Sequence, residues 1–308
     1  MRDLSARLRD LEYETGDVDR FDDTTAAAVS RFQQLRGLPA NGVVDHVTWA
    51  SLIEAGCRLG DRMLVLTDPM MRGDDVAELQ YRLGGLGFDA GRVDGIFGPN
   101  TQTAVGNFQQ DTGLVTDRVV GPETVGALRR LQPRGGTATI AGVRERIALR
   151  GLRADRSARI AVCHLGDLRP LVGAVAAGIH AAGPEASIIE AADWSSGAAA
   201  VNHFAATACV AIAEVDADGI HLSYFQTPNY SSHGGRLLAE SVATSLPLIP
   251  SVPLPTIGGM QLPILRETRS PTVLISLGRD TLADGGLALA PAIILAVGSW
   301  TSSASTAR

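Results

Sequence analysis

Phe21-Asp22-Asp23-Thr24-Thr25 opens a stretch that runs to Leu52, and Phe97-Gly98-Pro99-Asn100-Thr101 opens one that runs to Leu128; the two align without a gap at an offset of 76 residues. Ala28-Val29, Phe32-Gln33-Gln34, Gly37-Leu38, Val43-Val44, Thr48 and Leu52 recur as Ala104-Val105, Phe108-Gln109-Gln110, Gly113-Leu114, Val119-Val120, Thr124 and Leu128. Chance does not produce that density of identity, so the N-terminal half is a tandem duplication. Each copy reads as a small helical unit. Val76, Leu79, Leu83 and Leu86 fall at helical intervals, as do Val105 and Phe108, while Asp89 to Gly98 carries the glycines and aspartates of turns. Pro122-Glu123-Thr124 opens a third helix, with proline suited to a first turn and Glu123 to the positive end of the dipole.

The order Leu86-Gly87-Phe88, Val93-Asp94-Gly95-Ile96-Phe97-Gly98, Thr101, Ala104-Val105, Phe108-Gln109, Gly113-Leu114 and Gly121-Pro122-Glu123-Thr124 resembles the three-helix peptidoglycan-binding domain. Copy two matches closely. Copy one has Val18-Asp19-Arg20-Phe21-Asp22 where copy two has Asp94-Gly95-Ile96-Phe97-Gly98, so its loop has lost both glycines. The resemblance therefore places the expected ligand-binding residues in copy two, at Asp94, Gly95, Phe97, Gly98, Thr101 and Gln109. Helical spacing by itself assigns Phe97, Phe108, Leu114 and Leu128 to the core, and Asp94 to a turn.

Composition narrows the function classes. The 308 residues are 45% hydrophobic and 19% charged, a normal globular balance for two or three domains. A net charge of -6 and a pI near 5.5 exclude a nucleic-acid footprint, which needs a basic face. Cys57, Cys163 and Cys209 are far apart and form no Cys-x-x-Cys, so neither a disulfide framework nor a cysteine zinc site is implied, and a reducing compartment is the simpler reading. Met1 to Asp10 is charged and helical rather than a signal peptide, which predicts a cytoplasmic chain. Leu171 to Gly183 and Leu287 to Trp300 are apolar but too short to span about 30 Å of hydrocarbon.

After the linker-like Gln132-Pro133-Arg134-Gly135-Gly136-Thr137 the pattern changes. Strands are predicted at 159–163, 186–190, 209–213, 219–225 and 272–275, alternating with helices at 168–182, 198–206, 236–246 and 287–297: an α/β domain with a largely parallel central sheet. The expected organisation is repeat 1 at 1–58, repeat 2 at 70–132, a linker at 133–155, the α/β domain at 156–300 and a disordered tail at 301–308.

Leu265-Arg266-Glu267-Thr268-Arg269-Ser270-Pro271-Thr272-Val273-Leu274-Ile275, with Gly219 to Phe225, Ser232 and Arg236-Leu237-Leu238-Ala239 before it, resembles the zinc-dependent N-acetylmuramoyl-L-alanine amidase family. That family holds zinc with two histidines and a glutamate and uses a further glutamate as base. Position by position, the resemblance implies loss of this machinery. The Gly-rich loop of the first histidine is absent, Cys163-His164-Leu165-Gly166 running almost straight into a helix. Asp167 is at best an approximate substitute for the metal glutamate. Ala213 stands at the second histidine and Ser276 at the catalytic glutamate. His164, Asp167 and Glu214 are the remaining metal candidates, being near strand ends. His46, His180, His203, His221 and His233 show no ligand spacing, and His233-Gly234-Gly235 reads as a flexible turn.

Tandem peptidoglycan-binding domains before a degenerate amidase domain resemble the CwlM-type family of actinobacteria. The resemblance implies a pseudoenzyme without zinc, cytoplasmic and membrane-associated only through partners. It implies control of peptidoglycan precursor synthesis through the UDP-N-acetylglucosamine enolpyruvyl transferase, the lipid II flippase machinery and a Ser/Thr kinase, with a peptidoglycan fragment or precursor as ligand. Thr301 and Thr306 are the candidate counterparts of the family's regulatory phosphothreonine. An active amidase and a plain wall-binding protein are the competing readings. Trp194, Tyr224, Tyr230 and Trp300 are candidate interface anchors.

Overall fold

The computed structural model describes residues 1–131, 158–227, 230–246, 254–283 and 286–303. The chain divides into two compact units, Met1–Arg144 and Glu145–Arg308. The predicted linker at 133–155 lies outside the described residues.

The first unit holds two three-helix copies: α1 (Arg2–Asp10), α2 (Asp23–Leu35) and α3 (His46–Ala55), then α4 (Asp74–Leu86), α5 (Pro99–Asp111) and α6 (Pro122–Arg130). Each copy closes its own core, Leu4, Leu8, Val29, Phe32 and Leu52 in the first and Leu79, Leu83, Phe97, Phe108 and Leu128 in the second. The lead helix of copy one is nine residues against thirteen in copy two. Between the copies, Arg36 donates to both carboxylate oxygens of Asp74 at 2.7 and 2.5 Å, and Arg62 grips the buried Asp75 at 2.7 and 3.0 Å.

The second unit carries β1 (Arg159–Leu165), α7 (Arg169–Ala181), β2 (Glu185–Glu190), α8 (Trp194–His203), β3 (Ala208–Val215), β4 (Ile220–Thr227), β5 (Tyr230–Ser231), α9 (His233–Ser245), β6 (Thr256–Met260), α10 (Pro263–Arg266), β7 (Thr272–Gly278), α11 (Arg279–Ala283) and α12 (Ala290–Ser303). The sheet runs β2-β1-β3-β7-β4, with β5 and β6 both along the outer side of β4. Strands β2, β1, β3 and β7 are parallel, whereas β4 lies antiparallel to β7. The predicted α/β class is observed, and β5, β6, α10 and α11 are additions that short, mixed-polarity segments did not signal.

Alternation divides the sheet. Ile160, Val162, Val210, Ile212, Val273, Ile275 and Leu222 join α7, α9 and α12 in one apolar layer. Ala161, Cys163, Cys209 and Ala211 form the opposite face, beneath α8 and α10, where small side chains let the helices approach: a Cβ on Gly197 would sit 3.0 Å from the Cys163 sulfur. None of the described helices is long and apolar enough to cross a membrane, and both apolar stretches noted in the sequence contribute packed helices.

Three expectations are corrected. His233-Gly234-Gly235 is no flexible turn: it opens α9, capped by Ser232, with both glycines buried and a Cβ on Gly235 only 2.8 Å from the Thr272 carbonyl. Helix α12 extends to Ser303, so 301–303 are not a disordered tail; the Thr301 hydroxyl donates to the Gly298 carbonyl at 2.8 Å, and Thr306 lies outside the described residues. Trp300, Tyr224 and Tyr230 are buried at 1%, 9% and 7% exposure and serve the core rather than an interface. The Trp300 indole donates to the Gly234 carbonyl, tying α12 to α9.

Candidate functional site

In copy two, Gln109 reaches from α5 into the loop before α6. Its Nε2 faces Asp117 Oδ1 at 2.8 Å, the Val119 carbonyl at 3.0 Å and Thr124 Oγ1 at 3.1 Å, and its Oε1 accepts from Arg118 N at 2.8 Å. Gln80 repeats the arrangement with Asp94, Ile96, Thr101 and Gly95 N, and Gln33 in copy one repeats it with Asn41, Val43, Thr48 and Gly42 N. Three glutamines thus clamp three versions of one octapeptide: Asn41 to Thr48, Asp94 to Thr101 and Asp117 to Thr124. Its second residue is left-handed each time, at Gly42 (φ 71), Gly95 (φ 71) and Arg118 (φ 62). The fourth version, Val18 to Thr25, has no such clamp. Aligning Leu4 and Leu8 with Leu79 and Leu83 puts Ser5 where Gln80 stands, and the Ser5 hydroxyl is buried without a hydrogen-bond partner among the described residues.

This geometry revises the expected ligand residues. Phe97 at 0%, Thr101 at 1% and Gln109 at 2% exposure are interior, Phe97 in the apolar core and Thr101 and Gln109 with their polar atoms in the clamps, and Gly95 is buried with its N–H on Gln80. They hold the loop's shape rather than offering a surface to a ligand. Asp94 and Gly98 remain half-buried at the rim, and one Asp94 oxygen accepts from Ile96 N and Gln80 as a turn-forming residue does. The sequence reading missed Gln33 and Gln80; the recurrence of the octapeptide with a glutamine upstream was the signal.

In the second unit, sheet register aligns Leu165 with Ala213, Ala213 with Ser276, Ser276 with His221 and His221 with Thr256. Paired residues share a face, so these five form one row across the carboxyl ends of the parallel strands, the usual location of α/β sites. The two positions that the amidase resemblance marks as second metal histidine and catalytic glutamate are therefore direct neighbours, occupied by a methyl group and a hydroxymethyl group. His221 bonds through Nδ1 to Thr256 Oγ1 at 2.6 Å and through Nε2 to the Asp218 carbonyl at 2.9 Å. Nε2 must be the donor there, and in the neutral ring the Thr256 hydroxyl then donates to Nδ1. The alternating polar positions His221 and Ser223 in β4 were the sequence signal for His221.

The metal candidates do not converge. The His164 ring is buried and its Nδ1 donates to the Gly166 carbonyl at 3.0 Å. Asp167 pairs with Arg169, which holds its carboxyl below the usual range, and Glu214 pairs with Arg279 across the mouths of β3 and β7. Among the described residues no group of three or more His, Cys, Asp or Glu is arranged to hold a metal ion. Burial pushes the Cys163 thiol up to about 12 and the Cys209 thiol well above its ordinary value, which disfavours the free thiolate of both at neutral pH.

Residues 1–52 and 72–128 match the family described as "Putative peptidoglycan binding domain". The α/β unit follows these two peptidoglycan-binding repeats in the same chain. The N-acetylmuramoyl-L-alanine amidase CwlM of Mycobacterium tuberculosis is 38% identical over 175 residues, 56% of this chain and 42% of that protein. A spore cortex-lytic enzyme of Halalkalibacterium halodurans is 47% identical over 58 residues, 19% of this chain and 18% of its own. An N-acetylmuramoyl-L-alanine amidase of Nostoc punctiforme superposes with a TM-score of 0.39 at 18% identity, covering 47% of this chain and 99% of that one. An amidase of Clostridium difficile 630 gives 0.40 at 15%, covering 48% and 99%. The chain thus spans less than half the length of these curated relatives. Two peptidoglycan-binding repeats thus precede an α/β unit, and the chain is similar to CwlM over part of its length.

Proposed function

We propose that this chain is a non-catalytic regulator of peptidoglycan precursor synthesis, acting in the cytoplasm through protein partners while copy two senses a peptidoglycan fragment or precursor. The row Ala213-Ser276-His221 carries the reading: a zinc amidase needs an imidazole and a carboxylate where this chain has alanine and serine, and among the described residues no group of three or more His, Cys, Asp or Glu is arranged to hold a metal. Family likeness supplies the partners, namely the enolpyruvyl transferase, the lipid II flippase machinery and a Ser/Thr kinase acting near Thr301 or Thr306. The decisive experiment purifies the full chain, measures zinc per chain and muropeptide cleavage, and identifies what co-purifies from cells. Recovery of the transferase by a metal-free, inactive chain supports the reading; one zinc per chain with cleavage of the muramoyl-alanine bond overturns it.

A further inference from the structure

The two copies begin their helices differently. In copy one, Asp22 caps α2 and Asp45 caps α3, the carboxylates accepting from Thr25 N at 2.8 Å and Thr48 N at 2.7 Å. In copy two the same positions are Gly98 and Gly121, and neither α5 nor α6 has a side-chain cap. A methionine lies over each. Met70 Sδ is 3.7 Å from the point where a side chain on Gly98 would begin, and Met63 Cε is 3.8 Å from the same point on Gly121. The segment carrying them is pinned beside both helix starts by backbone pairing, Leu64 with Val120 and Arg72 with Ile96. Met63 is 60% and Met70 46% exposed, open to a dissolved oxidant.

We propose that Met70 and Met63 are modification sites for hydrogen peroxide or an equivalent two-electron oxidant, and that the sulfoxides formed there cap α5 and α6. The peroxide O–O bond breaks, one oxygen forms an S=O bond, and the other leaves as water; sulfur is oxidised by two electrons and the peroxide reduced by two. A thioether is a weak acceptor, whereas a sulfoxide oxygen is a strong one. Placed at the N-terminal end of a helix, that oxygen takes the part played by the Asp22 and Asp45 carboxylates in copy one. Oxidation, which ordinarily disrupts, here tightens the loops that frame Asp94 and Asp117. Met71 is the built-in comparison: half-buried in the same segment, its sulfur already accepts from Val65 N at 3.5 Å.

The test treats the intact chain with dilute hydrogen peroxide, maps sulfoxides by mass spectrometry, and follows amide exchange in peptides spanning Thr101 and Thr124. Met70 and Met63 are expected to oxidise before Met71, with exchange in the first turns of α5 and α6 slowing about two- to threefold. Methionine sulfoxide reductases should restore the original rates, and M63L/M70L should show no peroxide response in those peptides. Oxidation of Met71 at an equal rate, or unchanged or faster exchange after Met70 and Met63 are oxidised, overturns the proposal.

Discussion

Replacing Gln109 by alanine removes the clamp of the last loop in copy two. Nε2 has two hydrogens for three acceptors, so its contacts are shared and do not count as three full bonds. With about 1 kcal/mol net for each of roughly three bonds, one of them to the Asp117 carboxylate and one from Arg118 N, and partial repayment by entering water, the expected loss is about 2–4 kcal/mol. The neighbouring Gln110 is exposed, and its alanine variant should change stability by less than about 0.5 kcal/mol. Gln109→Glu sharpens the test, because it sets a carboxylate where Nε2 faced Asp117 Oδ1 at 2.8 Å. Like-charge repulsion raises the new carboxyl's pKa in the folded state, so the variant's deficit grows as pH rises through the carboxylate range and narrows as pH falls. The wild type trends oppositely there. The Asp117 pKa is lowered, first by the Val119 N–H and then by Gln109, so its contribution is present above the unfolded pKa and fades on acidification. Denaturant melts of the full chain with amide exchange at 117–124 measure both. Exchange there no faster in Gln109→Ala than in Gln110→Ala would refute the clamp.

Three further outcomes follow from the same geometry. Asp45→Ala should cost about 1 kcal/mol by uncapping α3, seen as faster exchange at Thr48, and Asp22→Ala should likewise speed exchange at Thr25. Gly178→Ala should destabilise the second unit by about 1–3 kcal/mol, since its Cβ would fall 2.1 Å from Ile294 Cδ1, and Ile294→Ala in the same chain should recover part of that loss in thermal melts. A double-mutant cycle on Arg36 and Asp74 should give a coupling of about 0.5–1.5 kcal/mol that shrinks with added salt, because the bidentate pair is only partly shielded from water.

The helices and the alternation of the α/β domain were legible because each rests on a local period: Leu79, Leu83 and Phe108 announce helices, and Arg159 to Cys163 a buried strand. The division of labour inside the loops was not. The peptidoglycan-binding resemblance marks Thr101 and Gln109 as expected ligand residues, and only the three-dimensional closure of the octapeptide shows that they are interior clamps. His221 illustrates the same limit. Its place beside Ser276 depends on β4 pairing antiparallel with β7, an association between strands separated by more than 40 residues that no local pattern encodes. The first copy's weakness was legible as lost glycines, but its physical form, an unpartnered Ser5 hydroxyl in place of Gln80, required the fold.

A small slip of the sheet does not bring the metal ligands that the amidase resemblance would require into this row. On the face that carries Ala213 and Ser276, β3 offers Cys209, Ala211 and Ala213, and β7 offers Thr272, Leu274, Ser276 and Gly278. A shift by two residues brings another of these into the row, and a shift by one exchanges the whole face. His164 alternates with Ile160 and Val162 on the opposite, helix-packed side, and Glu214 follows Ala213 to that other side. Ala213→His therefore restores one imidazole in a row whose other imidazole, His221, stands two strands away with both ring nitrogens bonded, and no carboxylate belongs to that row. Zinc needs three protein ligands at such a site, and an isolated imidazole holds it too weakly to survive dialysis. The full-length A213H chain should retain far less than one zinc after dialysis and keep an unchanged melting profile with and without the metal; retention of one equivalent would show that the row lies closer to a metal centre than its register allows.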